Sequence, residues 1–148
     1  MTILAENKKA FYNYEILEKF KAGIVLQGQE VKSIKNKRIN LQGSFVALKG
    51  EEVFLIGSNV PAYQPKNAPY NYEPQRPKKL LLKKIEIKHL IGKSRQKGLT
   101  MVPLIVYSVK GKIKLDFAIV KAKKKYDKRE KIKEREGKRE MEREMKGK

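Results

Sequence analysis

Residues 99–120 read LTMVPLIVYSVKGKIKLDFAIV. Lys110-Gly111 breaks the stretch into Leu99–Val109 and Lys112–Val120, two apolar-rich runs joined by a tight turn, the pattern of a β-hairpin. In the second run Ile113, Leu115 and Phe117 alternate with Lys112, Lys114 and Asp116. A period of two sends one set of side chains to a core and the other to solvent. This hairpin predicts a fold built on antiparallel strands.

Upstream, a second hairpin is predicted over residues 44–56. Phe45–Leu48 and Val53–Ile56 flank Lys49-Gly50-Glu51-Glu52, read as a four-residue turn containing glycine. Between the hairpins, residues 57–77 hold Pro61, Pro65, Pro69, Pro74 and Pro77. Proline cannot donate to a ladder, so this segment reads as a long loop. Lys78–Leu90 reads as a helix, with Leu81, Leu82, Ile85 and His89 at helical spacing and Gly92 as its stop. Gln29–Lys35 reads as a shorter helix after Gly28, and Ala22–Leu26 as a short buried strand. Residues 1–13 carry little order signal and read as an arm. Short antiparallel strands with two small helices in about 110 residues predict a small closed barrel.

Downstream of residue 120 the character changes. Residues 121–148 contain 14 Lys/Arg and 7 Asp/Glu, so 21 of 28 positions are charged. Such a segment buries too little apolar surface to offset the entropy of its own ordering. It is expected to stay loose in water and to order only against a large anion. Lys131, Arg135, Arg139 and Arg143 lie four apart, as do Glu136, Glu140 and Glu144. Wound as a helix, these would form a basic stripe beside an acidic one, yet the helix would be marginal alone.

The whole chain has a formal charge of +20, of which the tail contributes +7 and residues 1–120 the remaining +13. A body that is basic in its own right points to a polyanionic partner, RNA above all. An anionic membrane is the other candidate, but no amphipathic helix with a broad apolar face and no lipid-attachment signal is present. No apolar run approaches the roughly 20 residues of a membrane span, and the N-terminus lacks a signal-peptide pattern. A cytoplasmic location is expected. With no Cys and one His, disulfides, thiolate chemistry and a metal site are not expected, nor is any cofactor. The carboxylates form no cluster of the kind metal-dependent RNA processing needs, and no nucleophile elbow or phosphate-cradling glycine loop occurs. An RNA-processing enzyme is therefore disfavoured. A structural ribosomal protein, or a general RNA-binding barrel, remains open.

Several short fragments occur in a telling order. They are Asn7-Lys8-Lys9-Ala10, Ala22-Gly23-Ile24, Gly28-Gln29-Glu30-Val31-Lys32-Ser33, Asn40-Leu41 with Ser44, and Phe54-Leu55. They continue with Lys78-Lys79-Leu80-Leu81-Leu82, Glu86-Ile87, Gly92-Lys93, Lys97-Gly98, Val102-Pro103-Leu104 and Tyr126-Asp127-Lys128-Arg129. In this order the chain resembles the small protein B (SmpB) family, the SsrA- or tmRNA-binding proteins of bacterial trans-translation, over nearly its whole length. The resemblance implies a mainly β fold with short helices. An OB-like antiparallel barrel (residues 1–120) would carry a C-terminal tail (residues 121–148), disordered when free and helical when bound. It implies a non-enzymatic protein that holds the tRNA-like domain of tmRNA as a monomer in a one-to-one complex. It would support charging of tmRNA with alanine and bring it to ribosomes stalled on truncated messages.

By the same resemblance Asn7, Lys8, Lys21, Leu81 and Lys114 are expected to touch tmRNA. Lys123, Lys124, Tyr126, Asp127, Lys128 and Arg129 are expected to enter the decoding centre of the small subunit and the empty mRNA channel. Three positions depart from the family: Gln29 stands where Thr is common, Lys21 where Glu is usual, and Ala122 where Gly is. Alanine there favours continuation of the last strand, or a helix. From pattern alone, Lys112 and Lys114 equally suit a solvated face, and Leu81 a core. One of three consecutive leucines on a helix is expected to be exposed. Tyr63, Tyr70 and Tyr72 suit either a stacking platform for bases or packing of the proline-rich loop, which is favoured. His89 is expected at the edge of the helix–barrel contact.

Overall fold

The computed structural model describes residues 1–123. Its elements are β1 (Thr2–Glu6), α1 (Lys8–Asn13), β2 (Tyr14–Ile24), α2 (Gly28–Lys35), β3 (Phe45–Lys49), β4 (Glu52–Ile56), β5 (Lys78–Leu81), α3 (Lys84–Ser94), β6 (Leu99–Val109) and β7 (Lys112–Ala122). All strand pairs are antiparallel, in the order β1-β6-β3-β4-β5-β2-β7, and a β6–β7 pairing closes the sheet into a barrel. The mainly β fold with short helices is the one expected.

The β6–β7 hairpin forms the spine. Lys110 and Gly111 both adopt positive φ (50° and 79°) at the turn, which suits a two-residue loop of the primed type. Leu115, Phe117 and Ile119 point into the barrel, where Phe117 stacks on Phe20 of β2 with centroids 5.3 Å apart. Ala118 and Val120 point outward, and α1 covers them with Ala10 and Phe11 to make a second small core. Pro103 lies within β6, where it lacks an N–H, and the ladder shifts register between Pro103 and Ile105. The carbonyls of Pro103 and Leu104 accept from the Asn7 side chain (2.9 Å) and backbone N–H (2.8 Å).

The short buried strand expected at Ala22–Leu26 is the end of the eleven-residue β2, which stops at Ile24 and leaves Val25 exposed. Gly92, expected to stop a helix, lies within α3. Four further expectations need correction. The first is the arm at residues 1–13, which is instead β1 pairing with β6, followed by the six-residue α1. The second is the single helix over Lys78–Leu90, which is instead strand β5 followed by α3. Lys78–Leu81 finds ladder partners on both sides, Leu80 opposite Val53 of β4 and Leu81 opposite Gly23 of β2. Two ladders outweigh local helical spacing. The third is the turn at Lys49–Glu52: Lys49 and Glu52 pair with each other, so the loop is only Gly50-Glu51. Last, β7 continues past residue 120, with Lys121 opposite Glu15 and Ala122 opposite Tyr14, as alanine at 122 allows.

The helices plug the barrel. Leu90 of α3 is fully buried beside Leu99 and Ile119, at the strand ends remote from the β6–β7 turn. Ile34 of α2 is equally buried, and its neighbour Val31 lies near Gly111, at the turn itself. His89 sits where expected, with Nε2 2.7 Å from Glu18 Oε2 and its ring 6.1 Å from that of Phe20. The loop tyrosines divide. Tyr72 donates to the Val60 carbonyl (2.7 Å) and Tyr63 lies half-buried under Lys32, whereas Tyr70 is fully exposed. None of the helices in the described residues is long and apolar enough to cross a membrane.

Candidate nucleic-acid interface

Gly23 of β2 is the point where two expected contact residues meet. It pairs with Leu81 of β5 on one side and Lys114 of β7 on the other. Strand alternation buries Lys78 and Leu80 and leaves Lys79 and Leu81 outside, so Leu81 is 53% exposed. The helix argument named the exposed leucine as one of three; the pleat decides which. A Cβ on Gly23 would come within 3.3 Å of Leu81 Cβ, so glycine lets the leucine lie flat across the strand.

Around this point opens a groove of about 330 Å³. Leu81, Ile24 and Leu26 form one wall, Lys112 and Lys114 the other, with Val31 of α2 and Gly111 near one end. One pleat along β2 from Gly23, Lys21 is exposed and lies opposite Asp116. Apolar floor and cationic rim suit an RNA strand: bases and riboses meet the leucine and phosphates meet the lysines. A lysine facing solvent beside phosphate is favourable wherever glutamate would repel, and here Asp116 offsets part of that charge.

Asn7 and Lys8 lie elsewhere. Asn7 is 9% exposed and bonded to β6, at the edge of a separate groove of about 480 Å³ with Gly43 and Phe45. Lys8 is exposed on α1. Lys123, expected in the tail, follows β7: its N–H donates to the Asn13 carbonyl (3.0 Å) and its Nζ to that of Phe11 (3.2 Å). Lys124, Tyr126, Asp127, Lys128 and Arg129 lie outside the described residues. No cluster of three or more His, Cys, Asp or Glu able to hold a metal occurs among the described residues.

Sequence reading missed Tyr107 and the buried ionic network at Glu30. Tyr107 is cross-strand from Lys114 and diagonal to Asp116. Burial pushes its phenol up to about 12, and the Asp116 carboxylate, as hydrogen-bond acceptor and as charge, pushes the same way. The folded state thus keeps this proton above pH 10, where the unfolded chain releases it. Stability should fall as pH rises from about 10 to about 12. In an absorbance titration one phenol should titrate last, and Tyr107→Phe should abolish that step. A variant titrating like the parent would contradict the assignment.

Comparison with known proteins gives a consistent result. The family model described as SmpB protein matches residues 4–147. The SsrA-binding protein of Sulfurihydrogenibium sp. is 49% identical over 146 residues, 99% of this chain and 95% of that one. That of Syntrophobacter fumaroxidans is 49% identical over 142 residues, 95% of this chain and 87% of the other. A solved chain described as "tmRNA-SmpB: a journey to the center of the bacterial ribosome" superposes with a TM-score of 0.68 at 40% identity, covering 82% of this chain and 85% of its own.

Proposed function

The chain belongs to the SmpB protein family, and from that premise we propose that it is a tmRNA-binding adaptor of ribosome rescue, acting in the cytoplasm. It is a binding protein and not an enzyme. The barrel holds the tRNA-like domain of tmRNA and supports its charging with alanine. It carries the RNA to ribosomes stalled on truncated messages. Residues from Lys124 onward occupy the decoding centre and the vacant mRNA channel. There Tyr126 stacks on a base, and Lys128 and Arg129 meet phosphates.

The observation that carries the barrel's part is the convergence of Leu81 and Lys114 on Gly23 in one groove. Purification of the tagged protein from a bacterial lysate, followed by sequencing of bound RNA, tests it. Enrichment of tmRNA over the far more abundant tRNAs is expected; their equal recovery would refute selectivity.

The groove's two walls should be separable by salt. Lys114→Ala removes a phosphate contact and should flatten the plot of log affinity against log salt by about 0.7–0.9. Leu81→Ala should weaken binding roughly five- to tenfold, the scale of losing part of a buried leucine side chain, and leave the slope unchanged. Identical slopes for both variants would place Lys114 away from phosphate.

A further inference from the structure

We propose that the buried Glu30–Arg76–Lys78 network is a positioning device that sets the shape of the RNA groove, an inference that rests on the groove reading above. Glu30 sits in the first turn of α2 and is fully buried. Its Oε1 accepts from Arg76 Nη2 (2.6 Å) and from the Gln27 N–H (2.7 Å), and its Oε2 accepts from Arg76 Nε (3.2 Å). Arg76 Nη2 also reaches the Val25 carbonyl (3.3 Å). Lys78, fully buried too, has Nζ 3.8 Å from Glu30 Oε2 and donates to Ser58 Oγ (3.1 Å) and the Arg76 carbonyl (2.9 Å).

The segments knotted together here are those that build one wall of the groove. Val25 follows Gly23 and Ile24; Gln27 follows Leu26; Glu30 precedes Val31; and Lys78 opens the strand that ends in Leu81. The Val25 N–H donates to the Lys79 carbonyl (2.9 Å), which carries the constraint into β5. Two cations facing one carboxylate inside a protein are a poor way to gain stability, since well-packed apolar residues commonly do as well. A planar guanidinium gripping a carboxylate by two bonds does fix orientation, which a lysine cannot reproduce.

Two variants test this on the full-length protein with a transcript of the tRNA-like domain. Arg76→Lys keeps the charge and loses the fork. Glu30→Gln/Arg76→Met/Lys78→Met replaces the ionic network with a largely apolar one and serves if the first variant does not fold. Each folded variant should bind at least fivefold more weakly. For Arg76→Lys the salt slope should stay unchanged, and its effect should be non-additive with Leu81→Ala but additive with Lys8→Ala. A folded variant of either kind that binds like the parent overturns the proposal. If Leu81→Ala and Lys114→Ala themselves leave binding intact, the groove reading fails instead, and the two failures are thereby told apart.

Discussion

Deleting residues 124–148 should leave tmRNA binding within about tenfold and abolish tagging of truncated messages. The deleted segment holds 12 Lys/Arg and 7 Asp/Glu, a net +5 of the chain's +20. Most of the cationic field therefore stays with the barrel. A loss of no more than tenfold amounts to about 1.4 kcal/mol, a contact or two at most. The ribosomal step should have no substitute, because the deleted run carries Lys124, Tyr126, Asp127, Lys128 and Arg129, five of the six residues proposed for the decoding centre. The cut belongs after Lys123 and not before Lys121. Lys121 and Ala122 complete the β2–β7 ladder, and Lys123 bonds the end of α1. A cut at 121 would therefore fray the barrel and confuse the two effects. Filter binding and in-vitro translation of a message without a stop codon, on the same preparation, provide the measurement. Loss of tmRNA affinity along with tagging would show that the tail and barrel do not divide the work.

What could be read in advance followed the reach of each signal. The β6–β7 hairpin was legible because its alternation and its Lys110-Gly111 turn are local. The Lys78–Leu90 segment was not, because Leu80-Leu81-Leu82 fits a helix as well as a strand. Distant ladder partners on β4 and β2 decide between them, among them Val53 and Gly23, 27 and 58 residues upstream of Leu80 and Leu81. Helical geometry left the exposed leucine as one of three, and pattern alone suited Leu81 to a core; the pleat of β5 is what exposes it. β1 and α1 went unseen because five- and six-residue elements carry too few periods for pattern to register, and each leans on β6. Leu81 and Lys114 belong to strands on either side of β2, so their meeting at Gly23 depended on register that sequence does not state. Glu30 was visible only as one residue in a family fragment. Its partner Arg76 lies 46 residues away, in a proline-rich loop that offered no sign of an ion pair.

That same carboxylate should be among the most sensitive side chains in the barrel. Glu30→Ala strands the Arg76 guanidinium and the Lys78 ammonium beside each other, with their common counter-ion gone. Removing one member of a buried ionic group costs about 3–5 kcal/mol, which for a domain of this size lowers Tm by roughly 10–20 °C. It also unmakes the cap on the Gln27 N–H. Lys78→Met acts in the opposite sense. Burial holds the Lys78 ammonium below the ordinary lysine range, with Glu30 pulling it back up and Arg76 pushing it further down. Folding therefore bears a cost for the charged amine that methionine does not incur, and Glu30–Arg76 survives intact. The sign of the pH dependence follows. As pH rises toward 10.5 the unfolded chain still binds the proton that folded Lys78 has begun to give up, so stability rises through that window. In Glu30→Ala the upward pull is gone, the folded amine releases its proton at lower pH, and the recovery of stability should start earlier. Thermal melts of the parent, Glu30→Ala and Lys78→Met from neutral pH to pH 10 measure all three slopes. A Glu30→Ala protein as stable as the parent at neutral pH would mean that water, and not Glu30, neutralises the two cations.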